Sequence, residues 1–231
     1  MINNKINKFL GHEIIQSPAH FEKCRQIVDT IQRNKQTKNE DFSVIFDIGA
    51  HAGGYTKALS SSFPNSEVHA FEPMEGIYEA LVENVKQFDN VTCHNFGLYD
   101  KNIKEICFRT TRKKANAGLF SIYGNQGLTA YGELRKLSDF CIENKIVPTF
   151  VKIDTEGCEE NILRELTELT DKCLVMIEIL RYSKHPRYLT MKDGSEALRK
   201  YMRKEKDRLN EICNLGRNDK LFRWERGLDE E

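Results

Sequence analysis

A buried strand that runs directly into a glycine-rich turn constrains this chain more than any other feature. Residues 44–48 (VIFDI) are apolar except for one aspartate, as in a strand that is covered on both faces. Gly49, Gly53 and Gly54 follow and permit a tight turn, and residues 55–62 are expected to start a helix. Such a unit places backbone N–H groups beside a ligand at the carboxyl edge of a sheet. We therefore predict a nucleotide-type cofactor site here.

The glycine spacing separates two kinds of cofactor. Dinucleotide-binding turns favour G-x-G-x-x-G, whereas this turn has the form D-x-G-x-x-x-G from Asp47 to Gly53. That form fits a cofactor whose amino-acid moiety lies over the loop, and S-adenosylmethionine is such a cofactor. A plain turn between strand and helix is the alternative. The candidate cofactor contacts in this segment are Asp47, Gly49, His51, Gly53, Tyr55 and Thr56.

A second predicted strand, residues 67–71, ends in Glu72 and Pro73. It follows Asp47 by the length of one βα unit and a strand. An acid at the tip of this strand can accept hydrogen bonds from both ribose hydroxyls, so Glu72 is the predicted ribose ligand, and a solvated strand-end glutamate is the alternative. Pro73 fixes the turn away from the sheet.

Residues 90–98 predict a third strand, with its carboxyl end beside the adenine ring. Asn95, Phe96 and Gly97 are the candidate contacts, although core packing of Phe96 is an equal alternative. Residues 104–108 predict a further short strand. The polar, basic segment 110–127 is interpreted as a hairpin or loop insertion that overhangs the acceptor site.

The fourth predicted strand, residues 149–154, carries polar groups where chemistry is expected. Lys152 and Asp154 lie on one side of the strand, and Asp154 and Glu156 flank its junction with the next helix. A lysine among apolar strand residues is costly unless it is paired or reaches a cleft. Alternatively, Lys152 only neutralises Asp154, while Glu156 and Glu159 favour the N-terminus of the helix.

A fifth predicted strand, residues 173–179, contains Glu178 near its end. Five strands separated by helical stretches predict an α/β fold: one doubly wound, mostly parallel Rossmann-like sheet, with an antiparallel edge strand around residues 221–224. Residues 43–231 are expected to form this single domain, with a further helix at 197–212. Residues 1–42 form a helical extension that packs on the sheet or on a second subunit, with an apolar face made of Phe21, Cys24, Ile27, Val28 and Ile31.

Three motifs occur in order along the chain: DIGAHAG at residues 47–53, FEP at 71–73 and VKIDTEGCE at 151–159. Together they resemble the motifs of the FkbM family of methyltransferases. The resemblance covers residues 43–180 and implies a class I, S-adenosylmethionine-dependent fold. It implies that Asp47, Gly49 and Gly53 line the methionine and ribose region, that Glu72 holds the ribose, and that residues 152–157 face the acceptor. Similar members methylate hydroxyl oxygens of natural products or sugars. His51 stands where asparagine is commonest, and Thr56 where serine is frequent.

Methyl transfer to a hydroxyl requires that the acceptor oxygen be aligned with the electrophilic sulfonium methyl and lose its proton. Asp154 is the first candidate base, provided that desolvation raises its pKa. His185, in the segment after the fifth strand, is its rival. Alternatively Asp154 and Glu178, with Glu156, hold Mg²⁺ and so acidify a sugar diol, although the sequence has no decisive metal motif.

Charge and cysteine content exclude several other classes of function. The 35 basic and 35 acidic residues balance, which disfavours nucleic acid as a partner. Seven cysteines without paired C-x-x-C spacing argue against a disulfide framework or a zinc site. No apolar run suits membrane insertion and no signal peptide is apparent, so we expect a cytoplasmic protein. One basic cluster would suit a phosphate on a nucleotide-sugar or lipid-linked acceptor, or is merely an exposed loop: Arg109, Arg112, Lys113 and Lys114.

The sequence thus predicts an O-methyltransferase acting on a hydroxyl of a sugar, a glycan or a glycosylated small molecule. O-methylation of a non-sugar natural product is the nearest alternative. An NAD-dependent oxidoreductase and a non-catalytic cofactor-binding module also stay open, and RNA methylation is disfavoured by the neutral charge. A small-molecule or glycan acceptor, a homodimer and a glycosyltransferase partner are the expected interactions.

Overall fold

The computed structural model describes residues 18–33, 39–110, 120–121, 126–170, 172–178 and 219–225. In chain order the strands are β1 (Val44–Ile48), β2 (Glu67–Phe71), β3 (Val91–His94), β4 (Gly97–Tyr99), β5 (Ile103–Thr110), β6 (Phe120–Ser121), β7 (Gln126–Lys136), β8 (Phe150–Ile153), β9 (Lys172–Glu178) and β10 (Asp219–Glu225). The helices are α1 (Pro18–Arg33), α2 (Gly54–Ser62), α3 (Glu75–Val85), α4 (Leu137–Asn144) and α5 (Glu159–Leu169).

The main sheet has the order β10-β9-β8-β1-β2-β3. Strands β9, β8, β1, β2 and β3 are parallel, and β10 pairs antiparallel with β9 at the edge. From β1 the chain first builds outward through β2 and β3, and later returns to place β8 on the other side of β1. This reversal makes the carboxyl ends of β1 and β8 the topological switch point of the sheet, and ligands of doubly wound sheets bind in the crevice at such a point. The predicted fold class, including its antiparallel edge strand, is confirmed.

Helices cover both faces of this sheet, as the predicted near-continuous apolar strands require. On one face, α1 and α2 pack over Ile45, Val68 and Phe150. On the other, α4 and α5 pack over a core that contains Phe46 and Phe71. Helix α1 confirms the predicted amphipathic helix: Cys24, Ile27, Val28 and Ile31 are buried, and Phe21 is half-buried. The helix predicted at 197–212 lies outside the described residues.

A second sheet, of order β4-β7-β5-β6, lies between β3 and β8 in the chain. The prediction of one strand over residues 90–98 is wrong, because β3 ends at His94 and β4 pairs with β7 in the second sheet. Phe96 turns into the aromatic core at this break. The short strand predicted at 104–108 is the centre of β5. The insertion predicted at 110–127 contains β6 and the start of β7, whose full length was not predicted.

No helix in the described part of the chain is long and apolar enough to span a membrane.

Candidate active site

Four charged side chains lie where the parallel strands β1, β2 and β8 end. Asp47, Glu72 and Lys152 are buried, with 0%, 3% and 3% of their surface exposed. Asp154 directly follows β8, and 29% of its side chain is exposed. The strand-end acids predicted on β1, β2 and β8 are therefore brought together, at the crevice that the strand order creates.

Asp47 is held by two partners inside the protein. The hydroxyl of Thr56 donates to its Oδ2 at 2.6 Å, and the Lys152 ammonium lies 3.1 Å from its Oδ1. Asp47 and Lys152 are register partners on adjacent parallel strands, which places their side chains on one face of the sheet. Thr56 is completely buried, so it contributes to the site by orienting Asp47. The ring of Tyr55 also faces this group, with its centroid 5.3 Å from the Lys152 nitrogen.

The glycine turn is shaped by a close approach between two parts of the protein backbone. Gly49 has a positive φ of 76°, and a Cβ at this position would lie 1.9 Å from the carbonyl oxygen of Asp154. The predicted close backbone approach is present, and the approaching group is the loop after β8. The N–H groups of Gly49 and Ala50 donate to the carbonyl of Phe71 at 3.1 and 3.0 Å, which ties the turn to the end of β2.

His51 lies in the left-handed region, with a φ of 51°. Asparagine and histidine are among the few non-glycine residues that adopt this conformation readily, which explains why His51 can stand where the resembling family most often has asparagine. Its backbone N–H donates to Glu72 Oε2 at 3.1 Å. His51 thus joins the glycine turn to the predicted ribose ligand through its main chain.

Glu72 accepts one backbone hydrogen bond on each carboxyl oxygen. In addition to His51, the N–H of Met74 donates to Oε1 at 3.0 Å. Burial raises the pKa of Glu72 to about 7, although the two backbone donors and Lys152 act in the opposite direction. The burial of this carboxyl group contradicts the alternative of a solvated strand end, and the ribose contact stays a prediction.

The residues predicted to contact adenine lie in different surroundings. Asn95 is exposed beyond the end of β3. Phe96 is buried in the aromatic core, with the Arg135 guanidinium 4.1 Å from its ring centroid, so the core alternative describes it better. Pro73 instead contacts the second sheet: a Cβ on Gly132 would lie 2.3 Å from the Pro73 carbonyl, and one on Gly97 would lie 3.5 Å from its ring. The second sheet therefore borders the site at Pro73.

The loop after β8 has an unusual backbone that Glu159 holds in place. Glu156 and Gly157 both have positive φ, at 52° and 119°. Glu159 Oε1 accepts hydrogen bonds from the Thr155 N–H at 3.1 Å, the Thr155 hydroxyl at 3.0 Å and the Gly157 N–H at 2.9 Å. Its role as a clamp on this loop was not predicted, and the position of an acid in the first turn of α5 was the only signal for it.

Asp154 lies beside a cationic side chain, that of Lys152. Its Oδ2 lies 3.8 Å from the Lys152 nitrogen. Across the described ranges, no three His, Cys, Asp or Glu side chains converge as metal ligands. The Mg²⁺ alternative therefore has no support from these residues. Glu178 closes β9 opposite Asp219, and its side chain, like the whole of His185, lies outside what the structure describes.

Two histidines that were not singled out from the sequence form a hydrogen-bonded pair beside the site. Nδ1 of His69 lies 3.0 Å from Nε2 of His94, and Nε2 of His69 lies 2.9 Å from Glu67 Oε1. His94 stacks on Phe71, with centroids 4.7 Å apart. Burial lowers the pKa of both rings. The charges of His69 and Arg135 act in the same direction on His94, and together these effects lower its pKa to about 4. A histidine between Val68 and Ala70 in a buried strand was the signal available.

The described residues fit an adenosyl cofactor better than a pyrophosphate. The loop has the D-x-G-x-x-x-G spacing, and a buried carboxyl group lies one strand away at Glu72. Asp47, the turn from Gly49 to Gly53 and Glu72 would hold such a cofactor.

The fold and the site together define a class I, S-adenosylmethionine-dependent methyltransferase. The sequence model of the family described as "Methyltransferase FkbM domain" matches residues 47–209, and the chain belongs to this family. The predicted resemblance is confirmed. A comparison with curated proteins gives no match.

Several solved structures of similar fold are distant in sequence. A precorrin-6y C5,15-methyltransferase from Geobacter metallireducens is 17% identical, with a TM-score of 0.40 over 71% of this chain and 67% of that one. M. jannaschii TYW2, solved in complex with AdoMet, is 16% identical, with a TM-score of 0.41 over 83% and 64%. The Escherichia coli putative methyltransferase yhhF is 12% identical, with a TM-score of 0.40 over 66% and 68%. At such distances these structures carry no information on the substrate of this chain.

Proposed function

We propose that this protein transfers a methyl group from S-adenosylmethionine to a hydroxyl of a sugar, a glycan or a glycosylated small molecule. The observation that carries the proposal is the arrangement of the carboxyl groups at the ends of β1, β2 and β8. Asp47 and Glu72 are enclosed, whereas the side chain of Asp154 is partly exposed beside the cofactor loop. Family membership supports methyl transfer over the hydride transfer of an NAD-dependent enzyme.

The cofactor-side residues have binding and orienting roles. When bound, S-adenosylmethionine supplies an electrophilic sulfonium methyl group. Asp47 and the glycine turn would hold its methionine and ribose region, and the ionised Glu72 would accept hydrogen bonds from the ribose hydroxyls. Both carboxyl groups are fixed by partners in the protein, which reduces the ordering that cofactor binding requires.

On the acceptor side, Asp154 is the proposed base. Its exposed carboxylate would accept the proton of the acceptor hydroxyl as the new bond to carbon forms. Asp154, Thr155 and Glu156 are all half-exposed and polar, so they offer several hydrogen-bond partners along one loop. A sugar presents adjacent hydroxyls that such a loop can orient, which supports a sugar over an apolar natural product.

The first test is calorimetric titration with S-adenosylmethionine, S-adenosylhomocysteine and NAD, on the wild type and on Glu72→Ala. We expect both adenosyl ligands to bind, NAD not to bind, and Glu72→Ala to weaken the adenosyl affinity by about tenfold or more. Binding of NAD alone, or of none of the three, would refute the proposal.

The second test screens acceptors with a labelled methyl donor. Free sugars, nucleotide-sugars and glycosides are compared with phenolic and aliphatic alcohols of similar size. We expect label only in the sugar-containing set, and a loss of roughly 10²-fold or more in turnover for the isosteric Asp154→Asn, with cofactor affinity retained. Label confined to the non-sugar alcohols would instead establish the natural-product alternative. Undiminished turnover in Asp154→Asn would remove Asp154 as the base.

The proposed acceptor class also suggests a partner. A glycosyltransferase would supply the glycan or glycoside before methylation, so co-purification with such an enzyme, or dependence of turnover on its product, is the corresponding measurement.

A further inference from the structure

Lys152 makes more than one contact at the end of β8. Besides its ion pair with Asp47, its ammonium donates a hydrogen bond to the Gly49 carbonyl at 2.8 Å and lies 3.8 Å from Asp154. Only 4% of the side chain is exposed. These contacts connect the strand that carries the candidate base to the loop that would carry the cofactor. A buried ammonium that donates to a carbonyl makes a charge-assisted hydrogen bond, which is stronger and more directional than a neutral one.

The Gly49 carbonyl is the first link of a short chain of contacts that ends at the predicted ribose ligand. The N–H groups of Gly49 and Ala50 hold the turn against Phe71, and the His51 N–H donates to Glu72. These hydrogen bonds hold the turn through its N–H groups, and the Gly49 carbonyl is a further, separate point of attachment. The Lys152 ammonium, on β8, binds this carbonyl and so holds the turn from its other side.

We infer that Lys152 is a positioning residue, whose ammonium fixes the Gly49–His51 turn and thereby sets both the methionine and the ribose parts of the cofactor site. This inference rests on the proposed function and assigns Lys152 a structural link in place of the catalytic role that the sequence suggested. The competing role is direct contact with the carboxylate of the bound cofactor. The two roles differ in which part of the ligand loses affinity when Lys152 is replaced.

Two ligands separate these roles: S-adenosylhomocysteine, which has the amino-acid moiety, and 5′-methylthioadenosine, which lacks it. In Lys152→Met, a displaced turn should weaken both ligands, including 5′-methylthioadenosine by about tenfold or more, because the turn also holds Glu72. Loss of a direct carboxylate contact should weaken S-adenosylhomocysteine alone. Calorimetry at constant pH and ionic strength measures both dissociation constants.

Lys152→Met leaves Asp47 buried without its cation, which destabilises the folded state. A loss of affinity must therefore be distinguished from a loss of folding. The double variant Asp47→Asn/Lys152→Met removes both charges, and Asp47→Asn alone gives the share of Asp47; thermal melting reports the folded state of each. Thr149→Val is the matched control, because the Thr149 hydroxyl ties β8 to the Val44 carbonyl at 3.0 Å at the opposite end of the same strand pair. It should lower the melting temperature and leave both affinities unchanged.

Weakening of both ligands in Lys152→Met, and in the double variant relative to Asp47→Asn, supports the positioning role. Weakening of S-adenosylhomocysteine alone, unchanged affinities, or equal losses in Thr149→Val overturn it. A wild type that binds neither ligand would refute the proposed function itself. That failure appears before any variant is compared, and it is therefore distinguishable from failure of the positioning role.

Discussion

Asp47 shows how a charged residue can be placed at the floor of a site in this fold. A carboxylate without water is costly unless it is paired and hydrogen-bonded. Here the Lys152 ammonium and the Thr56 hydroxyl provide those interactions from the neighbouring strand and the following helix. Each partner comes from an element that the glycine turn also touches. The pairing of Asp47 therefore depends on the conformation of the turn, and substitutions in the turn should affect both.

Gly49→Ala should be strongly destabilising. The new methyl group would lie 1.9 Å from the Asp154 carbonyl oxygen, and alanine is strained at a φ of 76°. We expect a loss of about 3 kcal/mol or more in the free energy of unfolding, measured by urea denaturation. Gly53→Ala provides the graded comparison, because the nearest atom is the end of a flexible side chain, Leu81 Cδ1 at 2.9 Å. Its expected loss is about 1 to 2 kcal/mol, and equal losses at the two positions would contradict the steric argument.

Glu72 should make cofactor affinity depend on pH. Its pKa is raised to about 7 by burial, and only the ionised form can accept hydrogen bonds from both ribose hydroxyls on top of its two backbone donors. Affinity for S-adenosylhomocysteine should therefore fall as the pH drops below 7, by up to about tenfold per pH unit. Glu72→Gln, which does not titrate, should bind more weakly at pH 8 and show a nearly flat profile. A flat profile in the wild type would show that Glu72 does not titrate in this range.

At the scale of elements, loops at the carboxyl edge are held by side chains that come from the next element along the chain. Thr56 on α2 holds the aspartate before the first turn, and Glu159 on α5 holds the loop after β8. In both cases the helix that follows a loop supplies the group that fixes it. This local arrangement allows short loops with positive φ values to keep one conformation.

Removal of the Glu159 clamp should loosen the acceptor loop more than the cofactor turn. Glu159→Ala takes away the acceptor of three hydrogen bonds in a buried position. We expect a loss of about 2 to 3 kcal/mol in stability and a larger relative drop in methyl transfer than in cofactor affinity. Glu168→Ala, at an exposed position on the same helix, is the control and should change none of these quantities. A cofactor affinity that falls as steeply as turnover would contradict the assignment.

The elements that the sequence predicts well are those with local signals. The apolar runs of β1, β8 and β9 and the helical spacing of Cys24, Ile27 and Ile31 are each visible within a few residues. Of the second sheet, the sequence predicted only the centre of β5 and a hairpin or loop insertion at 110–127, because its strands pair across sequence distances that periodicity does not show. The acids at the strand ends of the site follow apolar runs and could therefore be predicted. The contacts of Glu159 and the stacking of His94 have no such local signal and were not predicted. Those depend on which elements pack together.

At the scale of the whole molecule, the buried Glu72 and the half-buried His94 should give opposite pH dependences to stability. The pKa of Glu72 rises from 4.5 to about 7 on folding, so its contribution is complete below pH 4.5 and is lost as the pH rises towards 7. The pKa of His94 falls from 6.5 to about 4, so its contribution is present above pH 6.5 and is lost as the pH falls towards 4. Between pH 4.5 and 6.5 the two slopes oppose each other.

Single substitutions should separate these slopes. In Glu72→Gln the melting temperature should rise more steeply with pH between 4.5 and 6.5 than in the wild type, because the opposing contribution of Glu72 is gone. In His94→Gln the slope should shift in the other direction over the same range. The measurement is thermal melting in a series of buffers of constant ionic strength, with slopes compared as differences from the wild type. Parallel curves for all three proteins would show that neither group is linked to folding.

The contact between Gly49 and Asp154 also bears on the order in which ligands arrive. Because the two backbones touch with no room for a methyl group, we expect a shift of the proposed donor-side turn to displace the proposed acceptor-side loop as well. A ligand that settles on the first restricts the motion of the second before any acceptor is present. We therefore expect compulsory-order kinetics, in which the methyl donor binds first and the acceptor then binds to a loop that is already ordered.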